Sequence, residues 1–389
     1  MPRPPTDIET VPFDEGCLAR NLQTGALCRL NATAGMILEW VVSGQSEAEA
    51  AGRLAEFYGI SPAQAAGDVG AIMLAWRQNG LLNSETPVPL EPAEPHLPEV
   101  EPEADFDASL DICVTCGGPP ARIRCEEAEL AGLLAEVLAP AQIRPDATGM
   151  PGPEQTLDLA GQDGDFRCWC GGIPQWRFEP RPLARRLLLQ DVISRSLPVD
   201  RLSAILHASA VVLDGRAIIL AGNSGSGKST LTAGLVAAGA SLIADDLLPL
   251  GSAGEGLWPV PFAISVKEGS WPVLSPLFNG FDRLKTLTSR GMRVRYLPAA
   301  MAEAGRPVKP SLVIFPTWSA AGPAGVEKLS VAEVADGLIE TGTDLTNLGG
   351  TLAEFAAFAS SIAGFRIRYP TLEAGIDLIR GQIRALTDA

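Results

Sequence analysis

The sequence predicts an α/β protein with a smaller α+β unit in front of it, and three observations carry that prediction. The first is an apolar run, Ala217-Ile218-Ile219-Leu220-Ala221, short enough for a buried strand, which leads straight into Gly222-Asn223-Ser224-Gly225-Ser226-Gly227-Lys228-Ser229. The second is a helical stretch from Ser229 to Ala238 closed by Gly239, then a strand from Ser241 to Ala244 that delivers Asp245 and Asp246 at its end. The third is a set of helix signals confined to residues 1–82 and cut off from the rest by a stretch dense in Pro and Glu.

The segment from Gly222 to Ser229 fits G-x-x-x-x-G-K-[ST] at every fixed position. Glycines let the backbone curl so that successive N–H groups point inward at phosphate oxygens, and the N-terminus of the helix beyond adds partial positive charge. In such a loop Lys228 can reach the β- and γ-phosphates, and the Ser229 hydroxyl can ligate Mg²⁺. The spacing therefore predicts a phosphate-binding loop, a segment running from Gly222 to Thr230 that takes the phosphates of a nucleotide and their Mg²⁺. Ligands of open α/β sheets bind beyond the carboxyl ends of the strands, so the strand before the loop and the one before Asp245 can aim at one place. Two adjacent acids there suit two tasks, one on Mg²⁺ and one as base toward a substrate hydroxyl. The plainer alternative for them is a solvated turn at a strand end.

With 389 residues, 46% of them hydrophobic, the chain has material for about two to three domains with real cores. A formal net charge of -16 and a pI near 4.7 argue against a nucleic-acid binder or a protein of anionic membrane surfaces, since both need a basic face. A basic peptide partner stays open, as does a homo-oligomer. No apolar run approaches the roughly 18 residues of a membrane span, and Met1 to Ala34 has no signal-peptide pattern, so a cytoplasmic protein is expected. Seven cysteines include Cys113-x-x-Cys116 and Cys168-x-Cys170. Their flanks alternate like strands, which favours reduced structural thiols over a zinc site.

Taken in order, residues 1–82 form the first unit. Short antiparallel strands are expected around Val11 to Phe13 and Ala26 to Leu30, and three helices after them. The first helix carries Ile37, Trp40 and Val41 at i, i+3, i+4 spacing; the second opens at Ser46-x-x-Glu49, the third at Ser61-Pro62-x-Gln64, both reading as capping boxes. Trp40 and Trp76 fall on apolar stripes and read as core. Residues 83–108 are an acidic, Pro-rich linker, expected to be extended and to tether the first unit rather than dock it; His96 lies within it. Residues 109–200 read as an α+β flanking region without a catalytic motif, placed by position beside the nucleotide site. From residue 201 to 389 the core resumes. Leu206 to Val212 reads there as one strand, turning at Asp214-Gly215 into the loop strand.

Within the first unit, Leu30-Asn31-Ala32-Thr33-Ala34, Ile37-Leu38-Glu39-Trp40, Tyr58-Gly59-Ile60-Ser61, Asp68-Val69 and Asn79-Gly80-Leu81-Leu82 resemble the PqqD family. The resemblance implies a winged-helix-like domain, a RiPP recognition element, that takes the leader of a ribosomally made precursor peptide as an added strand at a sheet edge. An exposed edge has unpaired N–H and C=O groups suited to that mode. A packing module without a peptide ligand is the competing reading.

The segment from His207 to Asp246 resembles the HPr kinase/phosphorylase family, whose fold is related to that of PEP carboxykinase. The shared features are a histidine on the preceding strand, the G-x-S-G-x-G-K-S loop and the Asp-Asp pair. Weaker similarity continues through Ala263 to Gly269 and Arg293 to Pro298. The resemblance implies an α/β P-loop kinase core of the HPr kinase/PEP carboxykinase type, with Asp245 as the base toward the acceptor hydroxyl and Asp246 with Ser229 at Mg²⁺. It further implies Glu268 as a second metal ligand, Arg295 as a phosphate clamp and His207 near the phosphates, a buried core histidine being the alternative for the last. The family's His-Gly is His207-Ala208 here, and its phosphorylase signature is not found. Joined to a PqqD-like domain, the implied activity is an ATP-dependent serine kinase acting on a precursor peptide, as in lasso-peptide tailoring. A kinase of a small hydroxylated metabolite and a non-catalytic, nucleotide-dependent peptide carrier are the alternatives.

Overall fold

A computed structural model of the chain describes residues 7–82, 106–144, 151–162, 165–289, 291–345 and 350–387. The first unit is an antiparallel meander, β1 (Ile8–Phe13), β2 (Gly16–Asn21) and β3 (Leu27–Asn31), joined to α1 (Ala32–Val42), α2 (Glu47–Tyr58) and α3 (Pro62–Gln78). Its helix boundaries have local causes. The Asn31 side chain accepts from the Ala34 N–H, Ser46 and Glu49 complete a capping box, and Gly59 ends α2 in the left-handed conformation at φ 65°. At α3 the Ser61 hydroxyl accepts from the Gln64 N–H behind Pro62, without the return bond that the motif predicts. Trp40 and Trp76 are buried with Ile37, Leu54 and Val69, as their helical spacing predicts.

Residues 83–105, including His96, lie outside the described residues. The expectation of a first unit that is only tethered is corrected by its contacts. Buried Arg20 donates to the carbonyls of Leu345 (2.9 Å) and Gly350 (3.0 Å), and Arg29 forms a two-bond pair with Asp336 at 2.8 and 2.7 Å. Phe13 and Leu18 join the main hydrophobic core. Alternation along β1 to β3 marks which positions face a partner surface, but not that this surface belongs to the same chain.

The second unit comprises β4 (Leu110–Val114), β5 (Ala121–Cys125), α4 (Ala128–Leu138), β6 (Gln142–Ile143), β7 (Thr156–Gln162), β8 (Asp165–Cys170), β9 (Ile173–Glu179) and α5 (Arg181–Ser196). Its sheet order is β6-β4-β5-β7-β8-β9, with β4 and β5 paired as an antiparallel hairpin. Five of the seven cysteines are buried here as free thiols. Burial pushes Cys116 and Cys125 up to about 12 and Cys168 well above the ordinary thiol value, so they pack as protonated, nearly apolar groups.

The third unit runs through β10 (Leu202–Leu206), β11 (Ala208–Leu213), β12 (Arg216–Ala221), α6 (Lys228–Ala237), β13 (Ser241–Ala244), β14 (Leu248–Gly251), β15 (Ile264–Lys267), α7 (Trp271–Leu274), β16 (Leu287–Ser289) and β17 (Met292–Leu297). It ends with β18 (Pro310–Trp318), β19 (Gly325–Leu329), α8 (Val331–Gly342), β20 (Thr343–Asp344), α9 (Leu352–Ser361), β21 (Ala363–Tyr369) and α10 (Leu372–Thr387). Its central sheet, β13-β11-β12-β18-β21-β19, is mixed: β12, β18 and β21 are parallel neighbours, while β11 runs against both β12 and β13. The period of two along β12 sets the layers. Ala217, Ile219 and Ala221 pack with Val334, Leu338 and Phe355 of α8 and α9, whereas Ile218 and Leu220 pack with Leu231 of α6 and Ile379 of α10. Helices cover both faces of the sheet, and the core is α/β.

The predicted single strand from Leu206 to Val212 is two strands in two sheets. β10 pairs with β14 and β20, β11 with β12 and β13, and His207 is the bend between them. A continuous apolar run does not mark where a chain leaves one sheet for another. Among the described residues no helix is long and apolar enough to cross a membrane.

Candidate active site

Because β12 and β13 both run antiparallel to β11, their carboxyl ends and the start of β11 lie on one edge of the sheet. The glycine-rich loop leaves β12 there, Asp245 and Asp246 leave β13 there, and His207 enters β11 there. In the loop Gly225 and Gly227 hold φ of 92° and 94°. At Gly227 a side chain is excluded twice over, since a Cβ would also meet the Tyr369 hydroxyl at 2.3 Å. Asn223, Ser224 and Gly225 are exposed at the loop tip, and the Ser226 hydroxyl is buried against Gly222 without a protein hydrogen-bond partner.

Lys228 is the first residue of α6, and its stem is buried. Its ammonium lies 3.3 Å from Asp246 Oδ1 and donates to the His207 carbonyl at 3.4 Å. His207 Nε2 is 3.6 Å from the same Asp246 oxygen, and the imidazole is 43% exposed, which sets aside the buried core histidine. Asp246 itself occupies the left-handed region at φ 64°, a conformation costly for a residue with a side chain and held here by the turn after β13.

The two acids differ in setting. Asp245 is buried; its Oδ1 accepts from the Ser209 hydroxyl at 2.5 Å and its Oδ2 from the Ser265 N–H at 3.1 Å. Desolvation and the neighbouring Asp246 charge push its carboxyl up to about 6, against the opposing pull of Lys228, Ser209 and the Ser265 N–H. For Asp246 desolvation also pushes upward, but the hydrogen bond and charge from His207 and the Lys228 ammonium outweigh it and hold the carboxyl well below the usual range. One acid is thus tuned toward proton acceptance and the other toward permanent charge.

The remaining predicted residues fall partly inside this cluster and partly outside it. Ser229 stands next to Lys228 in the first turn of α6, half-buried, and the Thr230 hydroxyl pairs with that of Ser270 at 2.5 Å. Glu268, just past β15, is half exposed and paired with Arg293. Arg295 on β17 bonds to Asp282 (3.1 Å), the Phe281 carbonyl and Thr286 (both 3.3 Å) and stacks 4.1 Å from the Trp271 ring centroid. Among the described residues no hydrogen bond or ion pair joins Glu268 or Arg295 to the cluster around Lys228, where the resemblance implied them. Conversely, sequence reasoning missed Lys267, whose ammonium donates to the Ser224 hydroxyl at the loop tip at 2.7 Å, and Ser209, which holds Asp245. Ser209 was accessible to a period-of-two argument from His207, and Lys267 is one of only five lysines in the chain.

The donors suit a hard cation bound with phosphate: an ionised Asp246 and a Ser229 hydroxyl supply oxygen ligands, and Mg²⁺ is ordinarily held by one or two carboxylates plus substrate phosphates. Among the described residues there is no cluster of three or more His, Cys, Asp or Glu side chains able to hold a metal alone. A cavity of about 770 Å³ on the second unit, lined by Glu126, Glu127, Asp165, Arg167 and Trp169 among others, involves none of these groups.

The family model described as Coenzyme PQQ synthesis protein D (PqqD) matches residues 18–82, so the first unit carries a PqqD domain. No curated protein matches the chain. Among solved structures, it is similar to TbiB1 in complex with the TbiA(beta) leader peptide at 18% identity and a TM-score of 0.20, covering 21% of this chain and 94% of that one. A lasso peptide synthetase B1 complexed with the leader peptide is 27% identical with a TM-score of 0.18, covering 19% and 88%. The Hpr(Ser) kinase/phosphatase from Coxiella burnetii is 15% identical with a TM-score of 0.23, covering 46% and 94%.

Proposed function

We propose that this chain is an ATP-dependent kinase that transfers a phosphoryl group to a serine hydroxyl of a ribosomally made precursor peptide, whose leader is held by the PqqD domain. The observation that carries the reading is the convergence, on one sheet edge, of the glycine-rich loop, Lys228 and two aspartates tuned in opposite directions. A protein that only binds a nucleotide does not need the second of those acids. The PqqD match to the first unit supports a peptide leader as partner. The account has no role for nucleic acid or membrane, and its setting is cytoplasmic.

In this reading the loop from Gly222 to Thr230 cradles the triphosphate with backbone N–H groups and the amino end of α6. Lys228 places positive charge on the β- and γ-phosphates, and His207 and Lys267 stand at their edges. Mg²⁺, when bound, would sit on Asp246 and Ser229 and neutralise phosphate charge. The acceptor oxygen attacks the γ-phosphorus in line, the bond to the β–γ bridging oxygen breaks, and the hydroxyl proton passes to Asp245. Positioning and charge neutralisation supply most of the acceleration. Incubating the full chain with MgATP and a leader-bearing peptide, and tracking phosphate on the peptide, tests the reading.

A further inference from the structure

We propose that the Trp318 indole is the platform on which the nucleobase of the bound nucleotide stacks. This rests on the nucleotide reading of the glycine-rich loop and adds to it a second subsite. β18 runs parallel beside β12, so its end reaches the same sheet edge as the loop, and the Trp318 backbone N–H donates to the Ser226 carbonyl at 3.1 Å. The Trp318 Cβ lies 3.3 Å from where a Gly227 Cβ would stand. Trp318 nevertheless is 55% exposed. A single exposed aromatic is ordinary on a protein surface; its position is what carries the inference.

The sheet order β13-β11-β12-β18 places Asp245 and Asp246 on one flank of the loop and Trp318 on the other. A triphosphate whose γ end lies toward Lys228 and the acids extends its base the opposite way, over β18. There an aromatic face whose backbone is pinned to the loop offers stacking without base-specific hydrogen bonds. Every base has a π-face, so the platform raises affinity for nucleotides in general rather than choosing among them.

Calorimetric titration of the full chain with Mg²⁺ and either ATP or inorganic tripolyphosphate separates the base from the phosphates. Trp318→Ala is expected to weaken ATP roughly ten-fold or more while leaving tripolyphosphate unchanged, and Trp318→Phe to stay within about three-fold of the parent for both. Unchanged ATP binding by Trp318→Ala, or equal loss of both ligands, overturns the platform. Failure of the parent chain to bind either ligand overturns the nucleotide reading itself, and the platform with it.

Discussion

The Lys228 ammonium lies 3.3 Å from the Asp246 carboxylate, so the first residue of α6 and the residue just after β13 form one charged unit beside the glycine-rich loop. Without phosphate the two neutralise one another; a bound triphosphate and its cation would compete for each. The stem of Lys228 is buried, so its substitution should keep the hydrocarbon and remove the charge.

Lys228→Met is therefore the informative variant. Transfer should fall about 100-fold or more, the loss expected on removing one charge-stabilising group from an organised site, with the circular-dichroism spectrum preserved. Turnover near the parent rate would remove Lys228 from the chemistry.

Asp245→Asn and Asp246→Asn should separate. The first keeps shape but removes basicity, so transfer drops roughly 100- to 10,000-fold with nucleotide affinity retained. The second should raise the Mg²⁺ concentration needed for nucleotide binding. Both Asp245 oxygens are engaged by Ser209 and Ser265, so the reverse pattern in calorimetry would assign the base to Asp246 instead.

The rate of transfer should depend on pH through Asp245. Its carboxyl is raised to about 6, and a base must be ionised to act, so the rate should fall as pH drops below about 6 and level off above it. Asp246, held low, stays ionised across that range. The residual rate of Asp245→Asn should lack this limb; a limb that persists there belongs to another group.

Much of this was legible because local rules suffice for it. Glycines at Gly225 and Gly227, a helix starting at Lys228 and a strand ending just before Asp245 are each written within a few residues. The apolar spacing of Ile37, Trp40 and Val41 and the capping signals at Ser46 and Ser61 likewise placed the three helices of the first unit, whereas the cap at Asn31 was not read. The bend at His207 was not legible, since residues on both sides are equally apolar and only pairing partners distinguish β10 from β11. Lys267 reaches Ser224 across two elements distant in sequence, and Arg20 reaches Leu345 and Gly350 across most of the chain. Such contacts depend on tertiary placement that no local pattern encodes.

The Arg20 contact predicts a coupled first unit. Arg20→Ala leaves two carbonyls without their charged donor, a loss of about 2 kcal/mol, and should lower the thermal midpoint or split unfolding into two transitions. Unfolding identical to the parent by differential scanning calorimetry would mean the unit is not energetically docked.

The most direct measurement is mass spectrometry of a ribosomally made precursor peptide, with and without its leader, incubated with the full chain and MgATP. The account predicts one phosphoryl group on a serine, formed faster on the leader-bearing peptide at low concentration because the PqqD domain raises the local concentration of the acceptor, and absent with Lys228→Met. Equal rates on both peptides would remove the first unit from substrate capture. ATP binding with no phosphate on either peptide would contradict the kinase itself.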